Sequence, residues 1–208
     1  MCLLLLLAHA QSSSALVLDQ SYAGGTGNAA LGITSLTNAQ VFEVGVTGTL
    51  ASVDVELFKF GAPSSDIMVD ILPVSAGVPT AASLGNRTLA AADVAGTAAF
   101  ISIDFTADAI DMAVGESYAI ALSVTSLDSS NFFLWNAGFD NRSDPLYSGG
   151  DSCVSSDGST FGCIATRDFH FRTFVNEAPV NEAPEPASIA LLGLGLLGIG
   201  AARRKRAV

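Results

Sequence analysis

Basic residues are scarce in this chain: nine Lys and Arg stand against twenty Asp and Glu in 208 residues, a formal net charge of −11. Four of the nine lie together at Arg203, Arg204, Lys205 and Arg206, so everything before them is more acidic still. Phosphate recognition needs clustered Lys and Arg, and their shortage excludes nucleic acid as a partner. Acidity of this degree keeps a domain soluble through self-repulsion. Histidine is scarcer, with only His9 and His170. A nucleophile–His–acid set needs one, and His170, between Phe169 and Phe171, reads as a solvated residue on an outward strand face, so the chain is expected not to be an enzyme. Helix signals are also sparse. The best, residues 89–94, is too short to hold a helix unaided.

What the sequence does carry is concentrated at its end. Pro184, Glu185 and Pro186 precede sixteen uncharged residues, 187–202, and the four basic residues follow. As a helix at 1.5 Å per residue, 187–202 spans about 24 Å, against a hydrocarbon core of roughly 30 Å. The long Arg and Lys stems can snorkel across the difference. Leu191, Leu192, Leu194, Leu196, Leu197 and Ile199 point all round such a helix, as lipid requires, and Pro186 suits its first turn. The basic residues then hold the C-terminus in the cytoplasm and place the rest of the chain across the membrane. The spacing of Gly193, Gly195 and Gly198 matches a dinucleotide fingerprint, but a Pro-rich linker stands where that motif needs a strand.

These three parts in this order resemble the PEP-CTERM sorting signal of exopolysaccharide-producing bacteria. The resemblance implies recognition by an exosortase, a membrane-embedded cysteine transpeptidase that processes the tail near Pro184-Glu185-Pro186. This protein would be its substrate, first held in the inner membrane and then passed to the cell surface or extracellular matrix.

At the other end, Leu3 to Leu7 followed by Ala8-His9-Ala10 reads as a secretory signal peptide within residues 1–15. It has no basic residue before its short apolar run, as expected if the true start lies upstream. Residues 177–183 form a Pro/Glu-rich linker whose prolines disfavour helix and whose acids keep it hydrated.

Residues 16–176 are left for an ectodomain of common size. Period-two alternation runs almost throughout it. Phe42, Val44 and Val46 share one face. Val53, Val55 and Leu57 face inward against Asp54 and Glu56; Ile67, Val69 and Ile71 against Met68, Asp70 and Leu72; Ile101, Ile103 and Phe105 against Ser102 and Asp104. Tyr118, Ile120, Leu122 and Val124 oppose Ala119, Ala121 and Ser123, a side thin enough to face solvent or a close neighbour. Residues 131–136 and 168–175, and more weakly 83–89, bring the total to about eight strands. The expected fold is an all-β, jelly-roll-like antiparallel β-sandwich with one C-terminal transmembrane helix. The pattern also resembles bacterial surface β-sandwich domains that carry varied C-terminal anchors, a family that implies an anchored ectodomain and names no ligand.

Cys153 and Cys163 flank a Ser/Gly/Asp-rich loop and, in an oxidising compartment, are expected to pair; a two-Cys zinc site would be incomplete. No metal or cofactor is expected. Calcium on Asp140, Asp144, Asp151 and Asp157 is the weaker alternative to plain turn formation. The same four would be the carboxylates of a hydrolase, the third-ranked function after a structural or interaction protein and a carbohydrate-binding module. For the module, Trp135, Phe139, Tyr147 and Asp144 are the candidate binding residues, with Phe161 nearby and exopolysaccharide as ligand. The alternative for Trp135 is a place in the core.

Overall fold

Alternating stretches become strands in this protein, and the inward set of each meets the inward set of the others. The computed structural model describes residues 15–32, 36–126, 128–140 and 145–177. The expected signal peptide up to residue 14, Asp144, the linker beyond Glu177, Pro184-Glu185-Pro186, the helix 187–202 and Arg203 to Arg206 lie outside them.

Among the described residues fifteen strands form: β1 (Leu16–Tyr22), β2 (Gly27–Leu31), β3 (Thr37–Glu43), β4 (Gly48–Phe60), β5 (Ile67–Ser75), β6 (Val78–Pro79), β7 (Gly85–Leu89), β8 (Ala99–Asp104), β9 (Asp111–Met112), β10 (Ser117–Ser123), β11 (Phe132–Phe139), β12 (Ser152–Ser155), β13 (Gly162–Ile164), β14 (Arg167–Phe169) and β15 (Phe171–Glu177). The sequence predicts about eight. The difference lies in pieces of two to five residues, too short to show a period, and in β1, which interleaves Asp19 and Gln20 with its apolar residues. Two single-turn 3-10 helices, Ala91–Asp93 and Thr106–Asp108, are the helical elements described, and no described helix is long and apolar enough to cross a membrane.

The strands make two antiparallel sheets. The eight-stranded sheet runs β1-β15-β4-β11-β14, with β2 on β11 and with β8 and β9 on β4. The seven-stranded sheet runs β13-β12-β3-β10-β5-β6, with β7 on β5. Among the longer strands, β1-β15-β4-β8 belongs to one sheet and β3-β10-β5-β7 to the other, and every connection in that frame except β5 to β7 crosses between sheets. β11 to β14 are inserted before the last strand. The first and last strands pair, with Leu16 opposite Asn176.

One large core lies between the sheets. It takes Phe42 and Val44 from the β3 segment, Val53, Val55 and Leu57 from β4, Ile67, Val69 and Ile71 from β5, and Ile120 and Leu122 from β10. Asp54 and Glu56 point outward as alternation requires, and Asp54 faces Arg172, whose guanidinium also sits 3.9 Å from the centroid of the Phe100 ring. A second, smaller cluster of Ala39, Val41, Leu72, Ala119, Ala121 and Cys153 occupies the outer face of the seven-stranded sheet. The thin side of β10 therefore has a neighbour: the β12–β13 hairpin, which brings Phe161 and Cys163 against it.

Residues 168–175, read as one strand, form two. Phe169 pairs with Ala137 of β11, whereas Phe171 pairs with Tyr22 of β1 and Val55 of β4. His170 stands at the change of partner.

Candidate functional site

Trp135, Phe139 and Tyr147, the rings expected to meet a sugar, do not form an exposed platform. Trp135 is 0% exposed, stacked on Phe169 at 4.3 Å between centroids, and its indole N–H donates to the His170 carbonyl at 2.8 Å. Alternation on β11 turns it inward with Phe133 and Ala137. Phe139 is half-buried and packs over Gly27, where any Cβ would meet its ring. Tyr147 lies edge-on to Phe171 at 5.2 Å, and its hydroxyl donates to Gln20 Oε1 at 2.9 Å. Both half-buried rings pack against the core.

His170 is not solvated, in contrast to the reading of its strand face. It is 4% exposed, because Tyr22 lies edge-on over it and the turn after β1 brings the Gly24 carbonyl within 2.8 Å of Nε2. Its Nδ1 is 2.6 Å from Glu56 Oε2. Both ring nitrogens face oxygen atoms of Glu56 and Gly24, so neither is turned toward a candidate nucleophile.

Next to it, Asp168 is the most perturbed carboxylate of the interior. It is 2% exposed, accepting from Gln40 Nε2 at 2.9 Å and from the Tyr147 backbone N–H at 3.1 Å. Gln40 completes the knot by accepting from the Phe169 backbone N–H at 2.7 Å. Burial pushes Asp168 up to about 6, although both hydrogen bonds pull the other way. The knot ties the segment entering β12 to both sheets, and it is structural. Because the folded value lies above the ordinary 3.8, the native state keeps a proton that the unfolded chain releases between about pH 4 and pH 6. Stability therefore falls as pH rises through that window, by on the order of 2 kcal/mol from this group. Asp168→Asn should lack that loss. Urea midpoints of both proteins between pH 4 and pH 7 test this, and identical slopes would contradict it.

Of the loop aspartates, Asp157 serves its own turn. Asp157 accepts from the backbone N–H groups of Ser159 at 2.8 Å and Thr160 at 2.7 Å and from Ser155 Oγ at 2.9 Å, bonds that hold its carboxyl far below the usual range. Among the described residues, no three His, Cys, Asp or Glu side chains gather as metal ligands. Cys153 and Cys163 occupy opposite positions on β12 and β13 and form a disulfide.

That disulfide fixes one wall of a groove on the outer face of the seven-stranded sheet. The floor is Ala121 and Ser123 of β10 with Asp70 and Leu72 of β5. The hairpin tip, Asp157 to Phe161, forms one side, and Ala81 and Ser83 form the other. Its volume is about 240 Å³. Alanine on the floor gives it depth, since a larger residue at 121 would fill the space. Asp70 is half-buried; Ser83 Oγ donates to its Oδ1 at 2.8 Å, and burial raises its pKa. Alternation puts Asp70 and Ser123 on outward faces without bringing them together. Their meeting depends on β5 lying beside β10, with Asp70 opposite Ala121. The thin side of β10 was the one local signal for it.

The described residues belong to one compact unit, Ser14–Ala178. Beyond it, residues 182–206 match the PEP-CTERM protein-sorting motif. A comparison with curated proteins finds no match. Among solved structures, the chain is similar to the cysteine protease and lectin-like domains of Cwp84, a surface layer associated protein of Clostridium difficile. The identity is 16%, the TM-score 0.52, and the match covers 78% of this chain and 36% of that one. At that identity the likeness is one of fold alone.

Proposed function

We propose that this chain is an exported protein of the cell surface or extracellular matrix, of structural or interaction type, whose C-terminus is processed by an exosortase. The PEP-CTERM motif at residues 182–206 carries this reading. In it, residues 187–202 span the inner membrane before processing, Arg203 to Arg206 stay on the cytoplasmic side, and the β-sandwich is displayed outside. The disulfide supports an oxidising destination.

The sandwich acts by binding or packing rather than by catalysis. Two observations support this: His170 has both ring nitrogens engaged, and the Asp157 carboxylate is committed to its own turn. Deleting Pro184 to Pro186 should leave the sandwich folded but retained in the membrane fraction, with surface display reduced at least ten-fold. Fractionation and surface labelling measure this. Unchanged display of the deletion variant would overturn the proposal.

A further inference from the structure

We propose that the groove over β3, β10 and β5 is a binding site for a neutral sugar ring, held between Phe161 and the Asp70 carboxylate.

Charge narrows the ligand first. The lining contains Asp70 and Asp157 and no Lys, Arg or His. A phosphate, sulfate or uronic acid would enter against like charge with nothing to neutralise it. A metal ion is disfavoured for a different reason. Asp157 already serves Ser155, Ser159 and Thr160, so a single carboxylate remains to coordinate.

The remaining groups suit a polyol. Ser83 occupies Asp70 Oδ1, and among the described residues nothing donates to Oδ2 or pairs with Ser123 Oγ. A carboxylate oxygen with open acceptor sites takes hydrogen bonds from adjacent ring hydroxyls, and such charge-assisted bonds are stronger than neutral ones. Ser123 both donates and accepts, matching a hydroxyl in either role. Across the trough, Phe161 offers half-buried aromatic surface to the C–H face of a sugar, whose apolar patch has few other uses for a ring. Phe161 is two residues from Cys163, so the disulfide holds this wall in place before any ligand arrives.

Size sets the length of what is held. A volume of about 240 Å³ lies below the range of roughly 300–1,000 Å³ that encloses drug-sized molecules. One ring fits, and the open side of the groove lets a longer glycan continue into solvent.

This inference rests on the export reading only for where such a sugar would be met, because binding is read on purified protein and display is read on cells. The test titrates the full chain, in a detergent without a sugar headgroup, by calorimetry and NMR. The probes are glucose, galactose, mannose and N-acetylglucosamine, with glucuronate as the anionic counterpart. At least one neutral sugar should saturate with a Kd below about 50 mM, a weak single-ring affinity, and glucuronate should bind at least ten-fold more weakly than glucose. Phe161→Ala and Asp70→Ala should each weaken binding about ten-fold with little change in the unfolding midpoint. Ser123→Phe, which fills the trough from its floor, should abolish binding and serves if either truncation disturbs the fold. The proposal is overturned if no neutral sugar saturates, if glucuronate binds as tightly as glucose, or if folded Phe161→Ala and Ser123→Phe proteins both bind like the parent.

Discussion

Trp135→Ala should destabilise the sandwich by about 3–5 kcal/mol, a large part of the stability of a domain this size. The ring is 0% exposed and stacks almost parallel on Phe169, at an interplanar angle of 13°. Its neighbours are backbone-fixed strands that cannot close over the vacancy, so the cavity persists. The substitution also removes the shorter of two hydrogen bonds to the His170 carbonyl, leaving the one from the Glu56 backbone N–H at 3.4 Å, where the chain changes partner between β14 and β15. Trp135→Phe separates the two effects. It keeps most of the packing and loses the hydrogen bond, and should cost about 1–3 kcal/mol. Chemical unfolding followed by far-UV circular dichroism gives both numbers. A loss under about 1 kcal/mol for the alanine variant would mean that the ring is not in the core.

Breaking the disulfide should cost about 2–3 kcal/mol. The two cysteines are separated by 10 residues in sequence, and closing a loop of that length removes conformational freedom from the unfolded chain. Cys153 is fully buried among Ala39, Val41, Leu72, Ala119 and Ala121. The Cys153→Ala/Cys163→Ala variant is the cleaner substitution, since it leaves no hydroxyl in that apolar cluster. Its unfolding midpoint should not respond to reductant, whereas the parent's should fall to meet it. Free thiols in the exported, unreduced protein, or a parent midpoint indifferent to reductant, would contradict this expectation. Loss of the bond also loosens the wall that carries Phe161.

Alternation made much of this legible. Val53-Val55-Leu57 and Ile67-Val69-Ile71 show their inward faces without a structure, and so does the thin side of β10, because a strand's period is local. What stayed hidden depends on distant cover. His170 alternates outward like Arg172, yet Tyr22 and the Gly24 turn lie over it. Asp168 is likewise polar on a strand, and its burial arises from Gln40 and Tyr147, at separations of 128 and 21 residues. The groove combines both cases. Its floor is visible in Ala121 and Ser123, but its walls come from the hairpin and from residues 81 and 83, which no local pattern connects.

The sorting reading is tested most directly by the intact mass of the protein taken from the cell surface and compared with that of the membrane fraction. Processing at Pro184-Glu185-Pro186 should yield a surface form lacking residues 187–208 and a membrane form that still carries them. A surface form that retains Arg203 to Val208 would contradict the account.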